Sequence, residues 1–316
     1  MSYELTFPLL PRRRVAGPSF GSMRSLTRGT GLDLAGSRLY RPGDDIRRID
    51  WRASARRSKE RGNDEFVVRE HLTEEATHVV IAVDRSPSMA LYPPELPWLS
   101  KPAAIVVAGT MILESAIQTG CVVGYLDDAD ARHPSAAKRA ESPFWHRPSA
   151  LVEPWRVEER YLPYPGFHAP EDSPARLLGH LTSLERALPP GSFVFLLSDF
   201  LVCPDEETWA DALDRGLDPV PVVIQDPIWE QSFPDIAGAV MPLADPASGR
   251  LVPVRLTRTE VRTQRGENEE RLDALFALFE ALGLDAVLIS SADRGSVLEA
   301  FLDWAQGRHQ GARLAR

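Results

Sequence analysis

The 316-residue chain is 43% apolar and carries 36 Lys/Arg against 45 Asp/Glu, a net charge of −9. That apolar share is enough for a real core and excludes a disordered chain, while the acidic balance speaks against a general nucleic-acid binder. The two cysteines, Cys121 and Cys203, lie far apart in apolar surroundings, which excludes a cysteine-based metal site and reads as buried free thiols in a reducing compartment, the cytoplasm.

Residues 1–70 hold 15 Lys/Arg against 9 Asp/Glu, and the rest of the chain 21 against 36, so a basic N-terminal part precedes an acidic body. The opening MSYELTFPLLPRRR lacks the apolar run of a secretory signal, and the longest nearly apolar stretch, residues 103–113, is too short to span a bilayer. Residues 1–35 are rich in Arg, Gly and Ser and read as irregular, with a short strand at 3–9. Pro42-Gly43-Asp44 is a turn, and Glu65-Phe66-Val67-Val68 begins a short strand.

Alternation starts at residue 77. Residues 77–83 are a buried strand by length and β-branching. Residues 99–119 are a helix, with Ser100 as cap, Pro102 in the first turn and Gly120 past the end. Residues 121–126 are a strand, 127–150 an exposed excursion, 152–161 a third strand, and 173–188 a helix stopped by Pro189-Pro190-Gly191. Residues 192–198 form a strand, 205–215 a helix closed by Gly216, and 220–225 a strand. Residues 236–254 read as a β-hairpin turning at DPASG. Residues 259–282 form a long helix with Leu272, Leu275, Phe276 and Phe279 on one face, followed by a strand at 286–290 and a helix at 296–305. The order predicts an α/β fold with a doubly wound, mostly parallel sheet. The expected division is an N-terminal extension over 1–75, packed on a main domain over 76–310 that carries a hairpin insertion at about 230–256.

In such sheets ligands gather at the carboxyl ends of the strands. Two apolar runs stop there at an aspartate: VVIAVD at Asp84 and FVFLLSD at Asp199. Ser86 and Ser88 follow Asp84 at alternate positions. Hydroxyl and carboxylate oxygens suit Mg2+ or Mn2+. The pentad DRSPS also reads as an ordinary turn whose side chains cap its own backbone. A second aspartate at a matching strand end favours the metal cradle.

The D-x-S-x-S pentad with a downstream strand-end Asp resembles the metal-ion-dependent adhesion site of von Willebrand factor A domains. YRPGDDIRRIDWRASAR, residues 40–56, is similar to the signature of the bacterial domain-of-unknown-function family fifty-eight, and Asp226, Pro227, Glu230 and Pro234 continue the likeness. The resemblance implies a von Willebrand factor A-like fold and a protein-binding role. It also implies a MoxR-type AAA+ ATPase and a client protein as partners. Direct coordination would come from Ser86 and Ser88, with Asp84 and Asp199 orienting waters and a partner's acidic side chain completing the shell. Where adhesion sites draw on a Thr, this sequence has Ser173 at a helix start, which reads equally as a helix cap. Binding that requires the partner would follow if that third hydroxyl is missing.

Arg47, Arg48, Trp51 and Arg52 form a candidate partner surface. The alternative has Ile49 and Trp51 buried as apolar pegs with the arginines in ion pairs around them. The aromatic interleaving of single-strand binders is absent, so no nucleic-acid role is expected. No P-loop, dinucleotide fingerprint or nucleophile elbow occurs, and the seven histidines show no triad or metal spacing. A dehalogenase-like phosphatase would need Asp where Ser86 stands. A binding protein rather than an enzyme is expected. A Mg-dependent hydrolase and a scaffold with a non-functional metal site remain the alternatives.

Overall fold

The computed structural model describes residues 6–11, 28–39, 50–51, 54–55, 66–72, 77–91, 99–128, 144–146, 156–184, 188–244 and 250–314. They fall into two compact units, one drawn from residues 13–77 and the other from residues 6–11 and 78–314. In the smaller unit, β1 (Arg28–Leu39) pairs antiparallel with β2 (Val67–Leu72). β1 corrects the irregular reading of residues 1–35: its register slips around Gly29 and Gly36, and such glycines erase a strand's sequence pattern. Trp51 is no buried peg. It is 60% exposed and rests edge-on against Phe66, ring centroids 5.9 Å apart.

The larger unit is built on a six-stranded sheet. Its strands are β3 (His78–Val83), β4 (Val122–Asp127), β5 (Phe144–His146), β6 (Phe193–Ser198), β7 (Asp218–Ile224) and, after the separate hairpin of β8 (Val240–Ala244) and β9 (Leu251–Arg255), β10 (Val287–Ile289). The order is β10-β7-β6-β3-β4-β5, with β5 alone antiparallel to its neighbour. The chain runs outward from β3 through β4 to β5. It then returns to the other side of β3 at β6 and continues outward to β10. The direction of winding therefore reverses between β3 and β6, the switch point of a doubly wound sheet.

The helices are α1 (Lys101–Gln118), α2 (Ser173–Ser183), α3 (Glu206–Asp214), α4 (Arg258–Ala281) and α5 (Arg294–Leu314). Strand alternation sorts them. Val80, Ala82, Val194 and Leu196 face Leu177 and Leu181 of α2, Trp209 of α3, and Leu275 and Phe279 of α4. On the other face, Phe195 packs against Phe301 and Trp304 of α5. The caps read from the sequence are present. Ser100 Oγ accepts from Ala103 N, while Gly120 (φ 72°) and Gly216 (φ 78°) close α1 and α3 in the left-handed region. Of the strand expected over 152–161, the described residues Val157–Tyr161 are instead a turn of π-helix, in which Val157 and Tyr161, four apart, are both buried. Cys121 and Cys203 are free but only half-buried.

Residues 6–11 contain no regular strand, yet they are held firmly. Phe7 stacks on Phe301 at 4.4 Å, and its amide donates to Ser115 Oγ. Arg308 then closes the segment. Its guanidinium forks onto Asp218 with two 2.9 Å bonds, donates to Leu10 O at 3.0 Å, and lies over the Trp304 ring at 4.5 Å. Lysine keeps the charge but not the fork. Arg308→Lys is therefore expected to lose about 1.5–3 kcal/mol in urea unfolding, the worth of charge-assisted bonds.

β7 carries two prolines. Asp218 N donates to Ser192 O on the β6 side and Gln225 N to Ile289 O on the β10 side, so the odd-numbered amides face β10. β10 pairs only with Val222, Val223 and Ile224. Pro219 and Pro221 thus stand where no strand asks for the missing N–H.

Candidate functional site

Five buried residues, Val79–Val83, drive β3 through the core, and the strand ends at an aspartate that is itself buried. Asp84 N extends the ladder by one bond to Leu197 O. Because β3 and β6 are parallel neighbours with Val83 opposite Leu197, Asp84 and Asp199 leave the sheet at the same rim, beside the switch point.

The Asp84 carboxylate is buried. Oδ1 accepts from Ser86 N at 2.8 Å and Oδ2 from Ser198 Oγ at 2.7 Å. The pentad is therefore a turn as well as a candidate cradle. Ser86 precedes a single 3-10 turn, Pro87–Ala90, without capping it through its side chain, and its Oγ lies 3.1 Å from Ser88 Oγ. Burial, then the nearby charge of Asp199, raises the Asp84 pKa to about 6 against the opposing bonds from Ser198 and Ser86.

Asp199 is fixed on every side. Its amide meets Met89 Sδ at 3.1 Å, Oδ1 accepts from Leu201 N, and its carbonyl accepts from Gln225 Nε2 at 2.6 Å. The next residue, Phe200, has φ 50°, a left-handed conformation rare for a bulky side chain. That bend returns the Phe200 ring to the core against Trp209 and Phe279.

Three side chains complete the rim that the sequence reading did not single out for it. Lys101, the first residue of α1, is wholly buried. Its ammonium sits 2.8 Å from Asp199 Oδ2, pairs with Glu230, and donates to Ser88 O at 3.2 Å. Burial disfavours that charge, but Asp199 and Glu230 outweigh burial and hold Lys101 above its ordinary pKa. Glu230, one of the residues that carried the family likeness, has its own pKa raised, burial prevailing over the pull of Lys101. Ser198 is the third. Asp226 organises the turn beneath: its carboxylate accepts from Leu99, Ile228 and Trp229 amides, and its own amide donates to Glu230 Oε2.

Ser173 is not a helix cap. Asp172 holds the cap position, while Ser173 is fully buried and its hydroxyl has no hydrogen-bond partner. Its turn reaches the pentad through the backbone, Ser173 N to Pro170 O and Ala169 N to Arg85 O, both 3.0 Å. Thr182 bonds its own helix at Gly179 O. Arg47, Arg48 and Arg52 lie outside the described residues.

Arg85 locks the pentad from below. The guanidinium is buried and donates to Tyr125 Oη and to the carbonyls of Tyr161, Leu162 and Tyr164, with Asp127 Oδ2 at 3.6 Å. Phe167 lies under it at 5.1 Å.

Among the described residues no cluster of three or more His, Cys, Asp or Glu side chains forms a metal site. The rim instead mixes two serine hydroxyls in contact with carboxylates in excess. Asp199 and Glu230 share the one Lys101 ammonium, and the Asp84 carboxylate lies near enough to Asp199 to feel its charge. That donor set fits a hard dication. No helix among the described residues is long and apolar enough to cross a membrane.

The fold and rim define a doubly wound α/β protein with an oxygen-lined switch point. The chain belongs to the family described as "Protein of unknown function DUF58", whose model matches residues 36–272. Uncharacterized proteins of Mycobacterium tuberculosis and Mycobacterium bovis are 32% identical to it over 84 residues, 27% of this chain and 25% of each relative, so the match spans a quarter of their length. Among solved structures, the pilus adhesin SpaC of Lactobacillus rhamnosus GG is similar at TM-score 0.43 and 12% identity, over 74% of this chain and 31% of the adhesin. An aerotolerance-related membrane protein of Bacteroides fragilis (TM-score 0.37, 11% identity) and BatB of Bacteroides thetaiotaomicron (0.33, 14%) each match 73% of this chain over their full length.

Proposed function

We propose that the chain is a protein-binding adaptor or assembly factor, not an enzyme, and that its rim between β3 and β6 holds Mg2+ or Mn2+. Ser86, Ser88 and Ser173 would supply hydroxyl ligands, with Asp84 and Asp199 supplying charge. The metal, when bound, offers a Lewis-acidic point to which an acidic side chain of a partner can attach. The observation that carries this reading is the convergence of Asp84, the Ser86–Ser88 hydroxyl pair and Asp199 on one rim. The buried, partnerless hydroxyl of Ser173 supports it. A MoxR-type AAA+ ATPase and a client protein are the proposed partners, on family resemblance, with the cytoplasm as the place of action. A metal-free scaffold is the second reading, favoured by the ammonium of Lys101 against Asp199.

Calorimetric titration with Mg2+ and Mn2+ decides between them. Wild type is expected to release or absorb heat on binding one ion, more tightly in the presence of an acidic peptide, and Asp84→Ala to bind at least tenfold more weakly. Absence of binding in wild type, with and without peptide, would leave the scaffold.

A further inference from the structure

Lys101 stands at an unfavourable place for a lysine. It opens α1, so its charge meets the positive end of the helix dipole, and it is wholly buried. Neither helix stability nor solvation accounts for it there. Its three N–H donors are matched by three acceptors, Asp199 Oδ2, Glu230 Oε1 and Ser88 O, which fix the ammonium in direction as well as place. The backbone around it is held too. Asp226 grips the Leu99 amide two residues before, and the Asp226 amide grips the far oxygen of Glu230. Buried from salt and water, the charge acts on its neighbours with little screening. One of those neighbours is Ser88, whose carbonyl faces Lys101 while its hydroxyl faces Ser86.

We infer that Lys101 is a built-in cation that sets the divalent-metal affinity of the rim by competing with the ion for the charge of Asp199 and Glu230. The inference rests on the metal-binding reading above. A fixed ammonium keeps part of the acid charge neutralised at all times. The free protein then binds its ion weakly, and a partner's carboxylate adds the charge that retains it. Metal occupancy becomes coupled to partner occupancy through the side chain that sits between Asp199 and Glu230.

The test uses the full chain and calorimetric titration with Mn2+ and Mg2+ on wild type, Lys101→Met and Glu230→Gln, with melting curves to establish folding. Lys101→Met is expected to bind at least tenfold more tightly than wild type. Glu230→Gln, which leaves the ammonium less compensated, is expected to bind several-fold more weakly. An affinity in Lys101→Met equal to or below wild type overturns the inference and leaves the metal reading standing. If Lys101→Met does not fold, the sign of the Glu230→Gln change decides alone. Binding in Lys101→Met but not in wild type upholds the inference and removes metal dependence from the native protein. Binding in neither removes both.

Discussion

Arg85→Met is expected to lower the unfolding free energy by about 3–5 kcal/mol, the cost of breaking a buried charge pair from one side. The guanidinium serves Tyr125 Oη, three backbone carbonyls of residues 161–164, and Asp127, which is itself fully buried. Methionine fills much of the volume and satisfies none of them. The carbonyls lose the Arg85 donor, and Asp127 keeps the bond from Tyr125 Oη at 2.8 Å but loses the charge of Arg85. Urea unfolding checks this through a lower midpoint at unchanged slope. In the double variant Arg85→Met/Asp127→Leu the stranded charge is gone, and most of the loss is expected to return. A loss in Arg85→Met below about 1 kcal/mol would place Arg85 among surface pairs and end its role as the lock of the pentad.

Lys101→Met is expected to cost a similar amount, about 3–5 kcal/mol in chelator at pH 7.5, because it strands two buried carboxylates instead of one. The sign of its pH dependence follows. In wild type, burial already raises Glu230, and Lys101 is what holds it down. Without the ammonium, Glu230 binds a proton more readily folded than unfolded. The deficit is therefore full at neutral pH and shrinks as pH falls toward about 5. Thermal melts of both proteins across that range measure it. A deficit that grows on acidification would contradict the pairing of Lys101 with these acids.

Much of the scaffold was legible because it obeys simple periods. VVIAVD and FVFLLSD announce buried strands halted by acid, and the sheet places both halts at one rim. Ser100, Gly120 and Gly216 marked helix ends through ordinary cap chemistry. What stayed hidden depends on contacts distant in sequence. Nothing in SKPAAI shows that the lysine turns inward, since its partners lie about 100 and 130 residues on, at Asp199 and Glu230. Ser198 read as the last residue of a strand, yet its hydroxyl joins Asp84 to Phe200 N. Ser173 was ambiguous between cap and ligand until Asp172 was seen to hold the cap position.

The prolines of β7 reach beyond that strand. All seven residues of β7 are buried, and a buried amide without an acceptor costs the interior free energy. At residues 219 and 221, where β10 does not reach, the amide hydrogens facing away from β6 have been deleted. The ladder can thus stop short inside the protein without orphaning a donor there.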